Sequence, residues 1–241
     1  MNTIPNRWRA AALMAVLAFG GCQLPPAGPA GEERTERVLI EKTRAAGAER
    51  ITAEIHIAMG ELRVSGGARE FLEAEFTYDA PALKPQVRFD ASGFRRRLSI
   101  THGNPPPALG NVRNRWDIRL GGAVPLDLVI HCGAGENRLD LREVPLRNLE
   151  MNLGVGEVTV DLRGHRAHDV DAKIHGGIGR AVVLVPAGGV EAKAAGGIGH
   201  ISVIGLEKKD GRWIGKAGEG TRGRLRLEVQ GGIGEIEIRA G

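Results

Sequence analysis

The feature that most constrains this chain is a short segment, centred on a glycine, with apolar residues alternating on both sides of it. It reads Ile55-His-Ile-Ala-Met-Gly60-Glu-Leu-Arg-Val64, then Ile130-His-Cys-Gly-Ala-Gly135-Glu and Met151-Asn-Leu-Gly-Val-Gly156-Glu-Val-Thr-Val160. It continues as Ile174-His-Gly-Gly-Ile-Gly179-Arg, Ala194-Ala-Gly-Gly-Ile-Gly199-His-Ile-Ser-Val203 and Val229-Gln-Gly-Gly-Ile-Gly234-Glu-Ile-Glu-Ile238. From Gly135 onward the central glycines are 21, 23, 20 and 35 residues apart, the range of stacked supersecondary units. One unit buries too little apolar surface to stand alone, but neighbours stacked on one another share a core.

Aligned columns give each position a side. Five before the glycine stand Ile55, Ile130, Met151, Ile174, Ala194 and Val229; four after it stand Val64, Leu139, Val160, Val183, Val203 and Ile238. Two after it stand Leu62, Asn137, Val158, Ala181, Ile201 and Ile236, with Asn137 the polar exception. Met59, Ala134, Val155, Ile178, Ile198 and Ile233, one before the glycine, complete the residues expected to face inward. Glu54, Glu150, Lys173, Lys193 and Glu228 mark the outward face, with Val129 in the same column. Period-two patterning on both arms of a bend predicts strand, tight corner, strand. The glycines supply positive φ or close backbone approach at the corner. The expected fold is all-β: a single β-solenoid, a β-helix-like ladder, with an N-terminal β-rich module.

The last spacing of 35 residues holds an insertion, Leu206 to Gly223. Within it Asp210-Gly211 reads as a hairpin turn, and Trp213 as a lid over the end of the ladder. Residues 50–104 are strand-like but less repetitive, and Pro105-Pro-Pro107 breaks the chain before Trp116-Asp-Ile-Arg-Leu120.

The N-terminus carries an address. Arg7 and Arg9 precede an apolar run too short to span a bilayer, and Gly20-Gly21-Cys22 follows Phe19. Gly-Gly-Cys resembles the lipobox of bacterial lipoproteins, in which the cysteine is acylated and becomes the first mature residue. Phe19 replaces the usual Leu, and Gln23 stands where an Asp would retain an enteric-type lipoprotein at the inner membrane. The expected divisions are a signal peptide at 1–21, acylated Cys22 with a Pro/Gly-rich tether at 22–49, a β-rich module at 50–120 and solenoid repeats at 121–241. Loss of the signal lowers the net charge from +4 to +2, since Arg7 and Arg9 leave with it. The remaining charges are mixed, which argues against nucleic acid. Aromatics are only 4% of the chain, too few for a stacking platform for sugars or bases. Cys132 has no second cysteine to pair with once Cys22 is acylated, and is expected as a buried apolar filler.

Few constellations point to chemistry. His56, His131 and His175 share a column four before the glycine; Glu61, Glu136, Glu157, Arg180, His200 and Glu235 follow it directly. His131, His175, Glu136 and Glu157 are the obvious divalent-metal ligands. Asn152 on the rung between the histidines opposes that reading, and a solvated polar ladder is expected instead. Asp140, Asp161, Asp169 and Asp171 are the candidate carboxylates for carbohydrate chemistry. They sit at strand ends and turns, where Asp serves backbone hydrogen bonds. Gly-Gly-Ile-Gly opens no helix, so it is no phosphate loop. Arg95-Arg-Arg97 reads as a solvated turn rather than a headgroup contact. No catalytic residue, cofactor or metal is assigned.

Met59-Gly-Glu-Leu-Arg-Val-Ser-Gly-Gly67, Phe76-Thr-Tyr78, Lys84-Pro-Gln-Val87 and Leu98-Ser-Ile100 resemble the N-terminal region of the toast-rack family of bacterial proteins. Trp116-Asp-Ile-Arg-Leu120, Val124-Pro-Leu126, Gly133-Ala-Gly135, Leu139-Asp-Leu141 and the later Gly-Ile-Gly rungs resemble its repeats, so the likeness covers about residues 50–241. The family is related to the C-terminal domain of cell-wall-active antibiotic response proteins. The resemblance implies a β-solenoid ladder and envelope association with no established enzymatic activity. The expected protein is therefore a non-catalytic envelope lipoprotein facing the periplasm, with the outer membrane favoured. It is held in the bilayer through acylated Cys22 and binds or scaffolds an envelope protein. The alternatives are a sensor or regulator of envelope stress, or a metal-binding or carbohydrate-active β-helix protein. Self-association by end-to-end stacking is expected if the Ala240-Gly241 end is uncapped.

Overall fold

The computed structural model describes residues 32–103, 112–164, 167–216 and 223–241. The chain opens with β1 (Arg34–Ile40), a single helical turn α1 (Lys42–Ala45) and the long strand β2 (Arg50–Ala68). β3 (Leu72–Tyr78), β4 (Pro85–Asp90), β5 (Arg95–His102) and β6 (Asn114–Gly121) follow. The ladder continues through β7 (Leu126–Asp140), β8 (Leu146–Asp161), β9 (Val170–His175), β10 (Ile178–Val185) and β11 (Val190–Ile204). A hairpin of β12 (Glu207–Lys209) and β13 (Arg212–Ile214) precedes the last strand, β14 (Leu225–Ala240).

Each long strand is one rung: a first arm, a glycine corner and a second arm that folds back over the first. β9 and β10 form a rung split at Gly176-Gly177. Rung stacks on rung in parallel, glycine on glycine: Gly60 on Gly135, Gly135 on Gly156, Gly156 on Gly179, Gly179 on Gly234, and Gly234 on Gly199. The corner glycines hold φ between +124° and +144°. A Cβ on Gly156 would stand 2.0 Å from the Gly135 carbonyl oxygen, and one on Gly199 only 1.7 Å from that of Gly234. A second column lies two residues earlier and is Cβ-free from Gly133 onward, with Ala58 in the first rung; a Cβ on Gly154 would come within 2.3 Å of the Gly133 oxygen. From β7 onward the corners close because both columns lack a side chain.

The two arms enclose one apolar core. Ile55, Ile130, Met151 and Ile174 of the first arms are fully buried, as are Val160, Val183 and Ile238 of the second. Asn137 does face inward, and its amide donates to the Glu157 carbonyl at 3.4 Å. At the N-terminal end β6, β3 and β1 extend the second-arm layer, while β5 and β4 extend the first. Trp116 of β6 is fully buried, edge-on to Phe76, and donates its indole N–H to Asn114 Oδ1 at 2.8 Å.

Three expectations are corrected, and the order of the rungs is a further finding. The tether does not run to residue 49, because β1 and α1 occupy part of 22–49 and β1 pairs along its whole length with β3. The boundary at 120/121 divides nothing: β2 is a full rung in register with β7, and one cluster of buried side chains crosses it. Rung order is not chain order, because β14 lies between β9/β10 and β11. The column before the corner glycine faces out, with Val155 at 54%, Ile178 at 52%, Ile233 at 49% and Ile198 at 72% exposure. At so tight a bend the two glycines lie against the next rung, and the residue between them projects from the convex side.

Candidate functional site

The outward surface around the glycine corner carries the side chains that the core does not use. It consists of three parallel columns repeating about every 4.8 Å along the ladder. The middle one is the aliphatic ridge of Met59, Ala134, Val155, Ile178, Ile233 and Ile198, in spatial order. On the first-arm side runs a polar column of His56, His131, Asn152, His175 and Gln230. On the second-arm side runs Glu61, Glu136, Glu157, Arg180, Glu235 and His200.

The imidazoles of His56 and His131 stack with centroids 4.4 Å apart, and Asn152 Nδ2 lies 3.5 Å from His131 Nδ1. Partial burial and the neighbouring His131 push the His56 pKa down. His102 lines the same depression but is committed to the backbone: its Nε2 accepts the Ala58 N–H at 2.8 Å and its Nδ1 donates to the Gly103 carbonyl. Asn152 separates His131 from His175, and Glu136 and Glu157 stand across the corner on the other arm. Among the described residues no three His, Cys, Asp or Glu side chains converge on a common point.

Among the described residues, three of the four glutamates in the second-arm column, all but Glu157, pair with an arginine. Glu61 accepts from Arg115 at 2.9 Å, which holds its carboxyl below the usual range. Arg138 lies 3.5 Å from Glu136, and Arg180 lies 3.3 Å from Glu235 and 2.9 Å from Glu237. Glu237, itself only 6% exposed, also pairs with Arg239. The four aspartates are likewise occupied. Asp140 takes both Arg142 nitrogens at 2.8 and 2.6 Å, and Asp161 takes those of Arg163 at 3.0 and 2.7 Å. Each also accepts the backbone N–H of its arginine, so Asp-Leu-Arg closes the turn opposite the glycine corner. Burial raises the Asp161 carboxyl, but the Arg163 hydrogen bonds and the charges of Arg163 and Arg142 outweigh it and the net shift is downward. Asp169 accepts the Arg224 N–H at 2.9 Å, and both Asp169 and Asp171 pair with Arg226. The carboxyls of Asp140, Asp161 and Asp169 all lie below the usual carboxylate range.

Other expected sites are accounted for residue by residue. Cys132 is buried in the column of Ile57 and Leu153, and desolvation pushes its thiol up to about 12. Asp210-Gly211 forms the hairpin turn, with φ of 49° and 76°. Trp213 opposes Ala192 of β11, and Lys208 lies 4.9 Å over its ring, which makes it a lid on the first arm of the last rung. Arg96 donates to the carbonyls of Arg44 and Ala46, and Arg97 lies 3.6 Å from Glu54. Cys22 and the rest of the signal lie outside the described residues. Sequence reading missed the aliphatic ridge, although the apolar column before each glycine was its signal.

Residues 29–184 match the family described as the N-terminal domain of toast_rack, DUF2154. The match begins upstream of residue 50 and takes in β1. The crystal structure of a candidate cell adhesion protein from Clostridium sporogenes superposes with a TM-score of 0.81. It covers 87% of this chain and 100% of its own at 26% identity. A candidate adhesin from Bacteroides fragilis aligns over 87% of this chain and 98% of its own at 10% identity, with a TM-score of 0.26 that carries nothing further. No curated protein matches the chain.

Proposed function

The chain belongs to the toast-rack family, and on that premise we propose that it is a non-catalytic, adhesin-like binding module held at the bacterial envelope by a lipid on Cys22. The observation that carries this reading is the likeness to the Clostridium sporogenes protein, which runs through nearly the whole described ladder. The surface chemistry supports it: Glu136, Asp140, Asp161 and Glu235 are paired with arginines rather than gathered into an acid–base site. A stiff ladder with regularly spaced apolar and charged columns works by geometry, presenting the same contact at each rung to an envelope protein. The Gly-Gly-Cys22 address and the short Pro/Gly stretch after it support a position for the ladder just above a membrane.

The test is crosslinking in intact cells followed by affinity purification, with Cys22→Ser as the control. One envelope protein recovered with the native chain and lost with the serine variant is the expected result. Recovery of the same protein from both overturns the anchoring half of the reading; recovery of none overturns the binding half. Metabolic labelling with a palmitate analogue reads the anchor separately, with label expected on the native chain and absent from Cys22→Ser.

A further inference from the structure

The two ends of the ladder differ in how they are finished. At the N-terminal end the outermost strands are charged: β1 carries Arg34, Glu36 and Arg37, and β4 carries Arg88 and Asp90. Charges of this kind keep a strand edge from pairing with another chain. The other end is β11. The β12–β13 hairpin pairs with it only at Glu191 and Ala192, so among the described residues its outer edge is free from Lys193 to Ile204.

That free edge has none of the usual protection. From Ala194 to Gly205 there is no Asp, Glu, Lys, Arg or Pro, whereas the same columns of β14 hold Glu235, Glu237 and Arg239. The core is open there too. Ile201 and Val203 are half-buried, although their neighbours in β14, Ile236 and Ile238, are 4% and 0% exposed. Ile198 and Ile204 stand out at 72% and 47%.

We propose that this edge is covered by the same edge of a second copy, the two β11 second arms pairing antiparallel about a two-fold axis through Ile201. The strand is self-complementary in that register: Ile198 opposes Ile204, Gly199 opposes Val203, and His200 opposes Ser202. Each pair shares a face, exposed isoleucine meets exposed isoleucine, and no like charges are brought together. The inward Ile201 and Val203 of both copies then continue one core across the junction. Head-to-tail stacking is the competing arrangement. It sets the uncharged edge against Arg34, Glu36 and Arg37 of β1, which gain no opposite charge in exchange for lost water. It also generates an open filament, whereas the two-fold contact closes. The notion that the Ala240-Gly241 end governs self-association is thereby replaced, since β14 lies inside the ladder.

The test is sedimentation velocity on the full chain carrying Cys22→Ser, which removes association through lipid. A concentration-dependent monomer–dimer equilibrium is expected, stopping at the dimer. Ser202→Arg and Ile204→Lys each weaken it at least tenfold with unchanged far-UV circular dichroism, while Leu39→Lys on β1 leaves it unchanged. Ile201→Cys places a thiol opposite its own copy at a spacing compatible with a disulfide, and diamide is expected to convert it to a covalent dimer. A chain that stays monomeric at about 100 µM overturns the proposal. So does growth beyond the dimer, or equal loss of association in Leu39→Lys, because both mean head-to-tail stacking. The envelope reading stands or falls separately, on recovery of a different protein in the crosslinking experiment.

Discussion

At the scale of single residues, the corner glycines are the least replaceable positions in the chain. Gly156 holds φ +134°, and an added Cβ would overlap the Gly135 carbonyl at 2.0 Å. Strain and overlap fall on the same atom and neither rung can withdraw without breaking register, so Gly156→Ala is expected to cost about 3–5 kcal/mol. Urea denaturation checks this, with Gly93→Ala as comparison. Gly93 also has positive φ but open space around its missing Cβ, so it pays the backbone cost alone. His56 supplies a pH-dependent counterpart. Its pKa is lowered in the folded chain by partial burial and by His131, with His102 opposing protonation and Glu54 favouring it. The unfolded chain therefore takes up the proton first, and stability is lost as pH falls through about 6.5 and below. The midpoint of unfolding is expected to drop between pH 7.5 and pH 5, and His56→Gln to flatten that slope. Both residues were legible as members of columns, but the stacked contact of two imidazoles was not, because ring orientation depends on the neighbouring rung.

At the scale of elements, a rung is defined by complementary volumes at its corner. Rungs one to three place Ile57, Cys132 and Leu153 three before the glycine; the last three place Gly176, Gly231 and Gly196 there. In β14 and β11 the isoleucines 236 and 201 lean into the space that results, with Ile236 Cδ1 only 2.9 Å from where a Cβ on Gly231 would stand. The β9/β10 rung has Gly176 on one arm and Ala181 on the other, and a partly open cavity of about 70 Å³ runs along this corner and those of β14 and β11. Ala181→Val adds the β-branched residue that Val158 already supplies one rung away. It is expected to raise stability by about 0.5–1 kcal/mol, read as a higher urea midpoint with an unchanged slope. The Gly-Gly-Ile-Gly repeat is thus a packing solution, with its isoleucine outside and its first glycine making room for a side chain from the other arm. Alternation alone assigned that isoleucine to the core, because a strict period of two does not survive a corner with two Cβ-free positions.

At the scale of the whole molecule, the last strand is a wedge. β14 pairs in parallel with β9 and β10 on one side and β11 on the other. Removing the terminal repeat of a sequentially stacked solenoid shortens it; a chain ending at Gly223 instead loses an interior rung and detaches β11 with its hairpin. Such a truncation is expected to lose cooperative unfolding and to expose the β9/β10 edge, measured as rapid amide exchange across Val170–Val185. Retained protection there would show that β14 is dispensable. The order of β11 and β14 is a matter of which edge each finds, and both carry the same corner motif, so nothing local distinguishes them. The sequence by itself determined that this chain is a ladder of glycine-cornered rungs, which residues fill the arms, that Cys132 is buried, and that Asp210-Gly211 turns a hairpin. These follow from parity, missing side chains and backbone preference, which act over a few residues. Only the tertiary structure decided that the apolar column beside each glycine faces solvent, that β1 and α1 belong to the fold rather than to a tether, and that the chain's penultimate rung rather than its last forms the open end. Those outcomes depend on contacts between segments far apart in the chain, whose free energies do not register in the pattern of any one segment.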